Sequence, residues 1–206
     1  MYFALLQSCS FLDLLTGLGK YTFEGGMIYT NSLLRSSILY ASETMYNIKE
    51  NELRHLERID ENMLRQLFKT GKGCPIYQLY FESGQLPARF QIKRMKLVFY
   101  RYILTQDKNS LMFKYLLTQK MQPTKNYWYW EVQGILKEFE LEMTEEYIVN
   151  TSVTMYKNIV KKKAVRAGIK YLKTKWLKGE KGRQIYYNNL ELQDYLNPCS
   201  NMNLED

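Results

Sequence analysis

The segment from Val153 to Lys178 constrains the fold more than any other, because it reads as one uninterrupted helix. Its apolar residues recur every three or four positions, which places them on one helical face: Tyr156, Val160, Ala164, Ala167 and Tyr171. Gly179 and Gly182 follow and are typical of a loop. The sequence therefore predicts a long helix near its C-terminal end.

Few helix-breaking residues interrupt the chain as a whole, which has four prolines and eleven glycines among 206 residues. Helical spacing predicts a long helix over residues 23–45 and a second over residues 47–69. Asn47 is expected to be the N-cap of the second helix, with Glu50 completing a capping box. Pro75 and Pro87 each suit a first helical turn, and they predict helices over 75–82 and 87–106.

Further helices are predicted in the second half of the chain. Asp107 or Asn109 is expected to begin one that Pro123 ends. The aromatic segment 126–140 is expected to bury four side chains, which are Trp128, Trp130, Ile135 and Phe139. Thr144, followed by two glutamates, is typical of a helix start.

These patterns predict an all-α fold, an irregular multi-helix bundle with one long basic helix near the C-terminus. One short strand or hairpin is the only expected exception, over residues 184–187. The break at Gln122 to Lys125 suggests two regions, residues 1–122 and residues 123–206. The second region holds both the aromatic segment and the basic helix.

Positive charge is concentrated in the long helix and the loop after it. The chain has a formal net charge of +8, and Glu180 is the only acid between Lys157 and Arg183. Such a run suits a phosphate backbone, and an aromatic ring beside it can stack on bases. The candidate nucleic-acid-binding residues here are Lys157, Lys161, Lys162, Arg166, Lys170, Lys173, Lys175 and Trp176. A solvated helix face with core aromatics is the alternative.

A second basic stripe is formed by Arg89, Lys93 and Lys96, at helical spacing. Phosphate binding and an ordinary solvated face are equally compatible with this stripe.

Residues for catalysis are missing from the sequence. A polymerase needs paired carboxylates for two metal ions, and the chain contains no adjacent aspartates. Cys9, Cys74 and Cys199 lie far apart, and His55 is the only histidine, so no zinc motif can be assembled. We therefore expect neither enzymatic activity nor a metal or cofactor from this chain alone.

Polar residues interrupt the apolar stretch Met1–Leu18, and no basic region precedes it. It therefore resembles neither a signal peptide nor a membrane span. The odd, scattered cysteines fit a reducing compartment. The expected location is intracellular, nuclear or cytoplasmic, with no membrane partner.

Two segments in order resemble the region after the polymerase core in reverse transcriptases of non-LTR (LINE-like) retrotransposons. The first is "ILYASET" at Ile38–Thr44, followed by a charged helix at Glu52–Asp60. The second is "GCPI" at Gly73–Ile76, followed by "LYFESGQLPARF" at Leu79–Phe90. The later "QPTKNYW" at Gln122–Trp128 is similar to that family's "PTKGDW".

The resemblance implies that residues 1–122 are a thumb-like and connector region without the catalytic palm. It further implies a non-catalytic fragment that binds RNA or an RNA–DNA duplex through basic helices. Its partners would be the RNA or DNA backbone and the missing reverse transcriptase palm. The alternative is a helical protein-interaction or scaffold module with a basic surface and no specific nucleic-acid role.

Overall fold

The computed structural model describes residues 23–71, 73–122, 124 and 126–178. Throughout these residues the regular elements are helices and no strand is present, which confirms the all-α prediction. The elements are α1 (Phe23–Tyr29), the π-helical segment π1 (Thr30–Arg35), α2 (Ser36–Ile38), α3 (Glu50–Leu67), α4 (Ile76–Ser83), α5 (Ala88–Leu104), α6 (Leu111–Met121), α7 (Trp128–Glu138), α8 (Glu145–Asn150) and α9 (Val153–Lys178). The strand expected at residues 184–187 lies outside the described residues.

The chain divides into two compact units whose segments alternate along the sequence. The described parts of unit 1 are residues 23–38, 54–71, 73–87 and 169–178, whereas unit 2 comprises Leu39–Leu53 and Ala88–Gly168. The boundary expected near Gln122 to Lys125 lies inside unit 2, so this division differs from the one drawn from the sequence.

Unit 1 is organised around a cluster of buried side chains from α3, α4 and the last part of α9. These residues are Leu64, Leu79, Tyr80 and Leu172. Half-buried aromatic residues of the same unit, including Phe68 and Phe81, pack against them. Burial of these large apolar surfaces is the main force that holds the short helices of this unit in place.

Unit 2 is built from α5 to α8 and the first part of α9. α5 packs against α6, α7 and α8, and α6 also packs against α7. The fully buried side chains include Leu97, Tyr100, Val132, Ile148 and Tyr156. The hydroxyl of Tyr156 donates to the carbonyl oxygen of Leu97 at 3.2 Å, which satisfies a polar group inside this core.

Helix ends in unit 2 are fixed by local side-chain hydrogen bonds. The Thr144 hydroxyl accepts from the Tyr147 N–H at the start of α8, as its sequence predicted. α6 starts after Ser110, whose hydroxyl accepts from the Phe113 N–H, rather than at Asp107 or Asn109. Asp107 instead accepts from the Asn109 N–H at 2.7 Å, so it forms a turn ahead of the helix.

The predicted helix over residues 23–45 is shorter than expected. Its helical part ends at Ile38, and turns continue to Thr44. The expected N-cap at Asn47 is wrong, because α3 begins at Glu50 and Asn47 has a left-handed φ of 51°. Glu52, the third residue of α3, supplies the capping contact instead of Glu50. Its carboxylate accepts a hydrogen bond from the Lys49 N–H at 2.8 Å.

Helix α9 has the bounds that the sequence predicts. The buried row is Tyr156, Val160 and Ala164, and it continues through Gly168 and Leu172. The predicted Ala167 and Tyr171 are only half-buried. A row spaced by four residues drifts about 40° per step around the helix, and the two parts of α9 pack in different units.

Candidate nucleic-acid interface

Opposite its buried row, α9 carries a row of positive side chains. Lys162, Arg166 and Lys170 follow each other at intervals of four residues and are exposed. At about 100° per residue, each lies on the side of the helix opposite the buried residues of the same turn. We call these three residues the cationic ridge. Lys173 lies at its edge and is half-buried.

The ridge cations have no counter-charge in the described structure. α9 contains no acidic residue, and no described carboxylate lies within ion-pair distance of Lys162, Arg166 or Lys170. Lys157 and Lys161 are likewise exposed and unpaired among the described residues. The positive field of this helix face is therefore not cancelled locally.

Two other lysines of α9 have local partners. Lys163 donates from Nζ to the Glu140 carbonyl oxygen at 3.0 Å, which satisfies the backbone just after α7. The Lys175 ammonium lies over the Tyr171 ring, 5.6 Å from its centroid. Trp176 belongs to the same helix, but its side chain lies outside the described part of the structure.

The second basic stripe, on α5, is engaged in ion pairs inside unit 2. Arg89 contacts Glu50 at 3.0 Å, and Lys93 contacts both carboxylate oxygens of Glu138 at 2.6 and 2.7 Å. Lys96 contacts Glu131 at 2.5 Å, and its side chain is only 1% exposed. Phosphate binding by this stripe stays a prediction, and it would require breaking these pairs.

Lys96 is buried in unit 2, where its ammonium group pairs with Glu131. Burial lowers the pKa of its ammonium group, while the hydrogen bond and negative charge of Glu131 act in the opposite direction. Glu131 also accepts from the Asn47 N–H at 3.2 Å. This carboxylate therefore connects the turn before α3 to α5, within unit 2.

Glu145, at the start of α8, joins three elements of the same unit. Its carboxylate accepts from Lys120 Nζ at 2.8 Å and from the Tyr100 hydroxyl at 2.6 Å. Burial acts to raise the pKa of Glu145, but the hydrogen bonds from Lys120 and Tyr100 outweigh it and leave the pKa lowered. The ionised carboxylate between these two donors links α5, α6 and α8.

The described residues contain no group of three or more His, Cys, Asp and Glu side chains that could hold a metal ion. His55 is exposed on α3. In the same part of the chain, no helix combines the length and apolar character that crossing a membrane requires.

The outer face of α6 was not predicted from the sequence. This helix exposes several large apolar side chains to solvent, most of all Leu111 and Met121. The apolar residues of α6 are spread around the whole helix instead of lying on one side. Because a helix can bury only one side against its own unit, this distribution indicates that some apolar residues must face solvent.

Comparison with protein-family models, with curated proteins and with solved structures gives no match for this chain. The likeness to reverse transcriptases therefore rests on the sequence segments quoted above.

Proposed function

We propose that this chain is a non-catalytic nucleic-acid-binding module that contacts the phosphate backbone through the cationic ridge of α9. The observation that carries the proposal is the placement of Lys162, Arg166 and Lys170. They form an exposed row, unpaired among the described residues, on the side of the helix opposite its buried residues.

Each part of α9 is anchored within its own unit. Val160, Ala164 and Gly168 are buried opposite Lys162 and Arg166 in unit 2, and Leu172 is buried opposite Lys170 in unit 1. Each step of four residues advances about 6 Å along the helix, so the three charges are spread over about 12 Å. Long side chains on such a row can reach successive phosphates of one strand, and each contact releases condensed counterions. Arg166 can also bind a phosphate through two parallel N–H donors.

The absence of described counter-charges distinguishes this row from the α5 stripe. A phosphate that approaches Lys162 or Lys170 displaces only water and mobile ions, because no described carboxylate holds either ammonium. A phosphate that approaches Lys93 would have to compete with both oxygens of Glu138. We therefore assign the primary contact to α9 and not to Arg89, Lys93 or Lys96.

The chemistry of the row favours backbone contacts over reading of bases. Asn158 and Thr174 extend the cationic ridge at the same spacing of four residues. None of the five residues in this extended row is aromatic. Ammonium and guanidinium groups bind phosphates of any sequence. We propose RNA or an RNA–DNA duplex as the ligand, which agrees with what the resemblance to reverse transcriptases implies.

The test compares two variants that each remove four positive charges. The ridge variant replaces Lys162, Arg166, Lys170 and Lys173 with Gln. The matched control replaces four exposed lysines outside α9 with Gln, namely Lys49, Lys108, Lys114 and Lys137. Gln keeps a long, helix-compatible side chain, so both variants should fold.

We expect the ridge variant to bind a short RNA duplex much more weakly than the control variant does, as measured by fluorescence anisotropy. Circular dichroism and thermal unfolding verify that both variants are folded. An equal loss of RNA affinity in the two variants would mean that only net charge matters, and it would refute the cationic ridge as the binding site. No binding by the unmodified chain at any salt concentration would favour the scaffold alternative.

A further inference from the structure

Helix α6 presents large apolar side chains on the side that faces solvent. Leu111, Tyr115 and Met121 are 86%, 65% and 82% exposed, respectively. Leu116 and Gln119, on the other side, are buried in unit 2. Leu111 and Tyr115 are four residues apart, so they lie above one another on the helix. Met121, ten residues after Leu111, lies nearly three turns further on and about 80° around the helix from it, still on the solvent side.

This exposure is unusual for a helix at the surface of a water-soluble domain. Such helices place charged and polar residues toward water, whereas contiguous exposed apolar residues mark interaction sites. Tyr and Met are also enriched in protein interfaces, and the flexible Met side chain adapts to the shape of a partner.

The charge around α6 indicates what kind of partner fits. The sequence contains no acidic residue between Asp107 and Glu131. Lys114 lies within the exposed face and Lys108 just before it, and neither has a partner among the described residues. Lys120 is already paired with Glu145. The apolar face is therefore bordered by uncompensated positive charge, which suits an acidic partner.

A second copy of the chain and a nucleic acid fit this face less well. In a symmetric pairing, the same face with Lys114 would meet itself, and no acidic residue of α6 would offset the repulsion. A base-stacking surface needs several exposed rings, whereas the most exposed residues here are aliphatic or thioether, with Tyr115 as the main exposed ring.

From this combination we infer that the outer face of α6 is a docking surface for an acidic amphipathic helix of a partner protein. The partner would place apolar residues spaced by three and four positions against Leu111, Tyr115 and Met121, with its acids beside Lys108 and Lys114. The inference uses α6 alone and does not depend on nucleic-acid binding by α9.

The probe is a labelled synthetic helical peptide with Leu and Phe at spacings of three and four residues and Glu at the remaining positions. A scrambled peptide of the same composition and a peptide with Lys in place of Glu serve as controls. The face variant of the full chain carries Leu111→Gln, Tyr115→Gln and Met121→Gln. Because these side chains are exposed, the variant should fold normally.

The matched variant carries Tyr40→Gln and Met155→Gln, which also remove exposed apolar side chains of unit 2. We expect the face variant to bind the acidic peptide roughly tenfold more weakly or worse, and the matched variant to bind it like the unmodified chain. A second variant, Lys108→Glu with Lys114→Glu, should bind the acidic peptide more weakly and the Lys-containing peptide more tightly than the unmodified chain does.

Three results would overturn the inference. One is equal binding of the scrambled and ordered peptides, or no binding of either. Another is a face variant that binds the acidic peptide as well as the matched variant does. The third is loss of self-association or of RNA binding in the face variant without any peptide binding, which would assign the face to a second copy or to nucleic acid.

Discussion

Arg35 and Asp60 form a two-pronged ion pair in the interior of unit 1. Arg35 Nε lies 2.9 Å from Asp60 Oδ1, and its Nη2 lies 2.9 Å from Oδ2. The Tyr80 hydroxyl donates to the same carboxylate at 2.9 Å, and Arg35 also donates to the Leu86 carbonyl oxygen. Burial raises the pKa of Asp60, while the Arg35 charge and the Tyr80 hydrogen bond oppose it. One carboxylate thereby ties π1, α3 and α4 together.

We predict that removing one partner of this pair destabilises the chain strongly. Asp60→Leu should lower the free energy of unfolding by about 3–5 kcal/mol, because it leaves the Arg35 guanidinium buried without a counter-charge. Adding Arg35→Met to that variant should recover much of the loss, since the apolar pair no longer requires a buried charge. Urea unfolding of both single variants and the double variant measures this.

The double variant decides between two accounts of the pair. If the double variant loses as much free energy of unfolding as the two single variants do together, Arg35 and Asp60 contribute independently. The ion pair would then have no special role in the stability of unit 1.

The pair of Lys96 and Glu131 should respond unequally to removal of its two partners. Glu131→Ala leaves an ammonium in a site where the Lys96 side chain is 1% exposed, whereas Lys96→Met leaves a carboxylate that is 30% exposed and can be hydrated. We expect Glu131→Ala to lower the free energy of unfolding by roughly 3 kcal/mol and Lys96→Met to lower it clearly less. Denaturant unfolding of the two variants compares them, and equal losses would contradict the burial argument.

Glu145 should contribute stability that depends on pH. Its folded-state pKa lies below the ordinary value of 4.5, so its contribution is present above that pH and disappears as the pH falls through the lower folded-state pKa. Glu145→Gln should therefore lower the melting temperature at neutral pH, and the difference from the unmodified chain should shrink as the pH falls below 4.5.

Thermal unfolding of both proteins over a series of pH values measures the Glu145 contribution. A difference in melting temperature that stays constant from neutral pH into acid would show that the carboxylate charge is not what links α8 to Lys120 and Tyr100.

Sequence periodicity predicted the extent of the helices better than their buried residues. The bounds of α9 were predicted correctly, because long spacing patterns and the glycines that follow depend only on local sequence. The burial of Gly168 and Leu172 in place of Ala167 and Tyr171 was not predicted, because it depends on which segments of each unit pack against the helix.

The two basic stripes looked alike in sequence and differ in the structure. The partners of Arg89, Lys93 and Lys96 are Glu50, Glu138 and Glu131, which lie 35 or more residues away in sequence. Spacing along one helix cannot reveal such pairs. Neither α5 nor α9 contains an acidic residue of its own, so the sequence of each helix alone could not show which stripe is paired.

The salt dependence of binding tests the central claim most directly. The equilibrium constant for a short duplex DNA would be measured at a series of salt concentrations, for the unmodified chain and for the folded variant with Gln at residues 162, 166, 170 and 173. If each cation meets one phosphate, the slope of log K against log salt should become shallower by about three to four. An unchanged slope and affinity in the folded variant would contradict the assignment of α9 as the nucleic-acid interface.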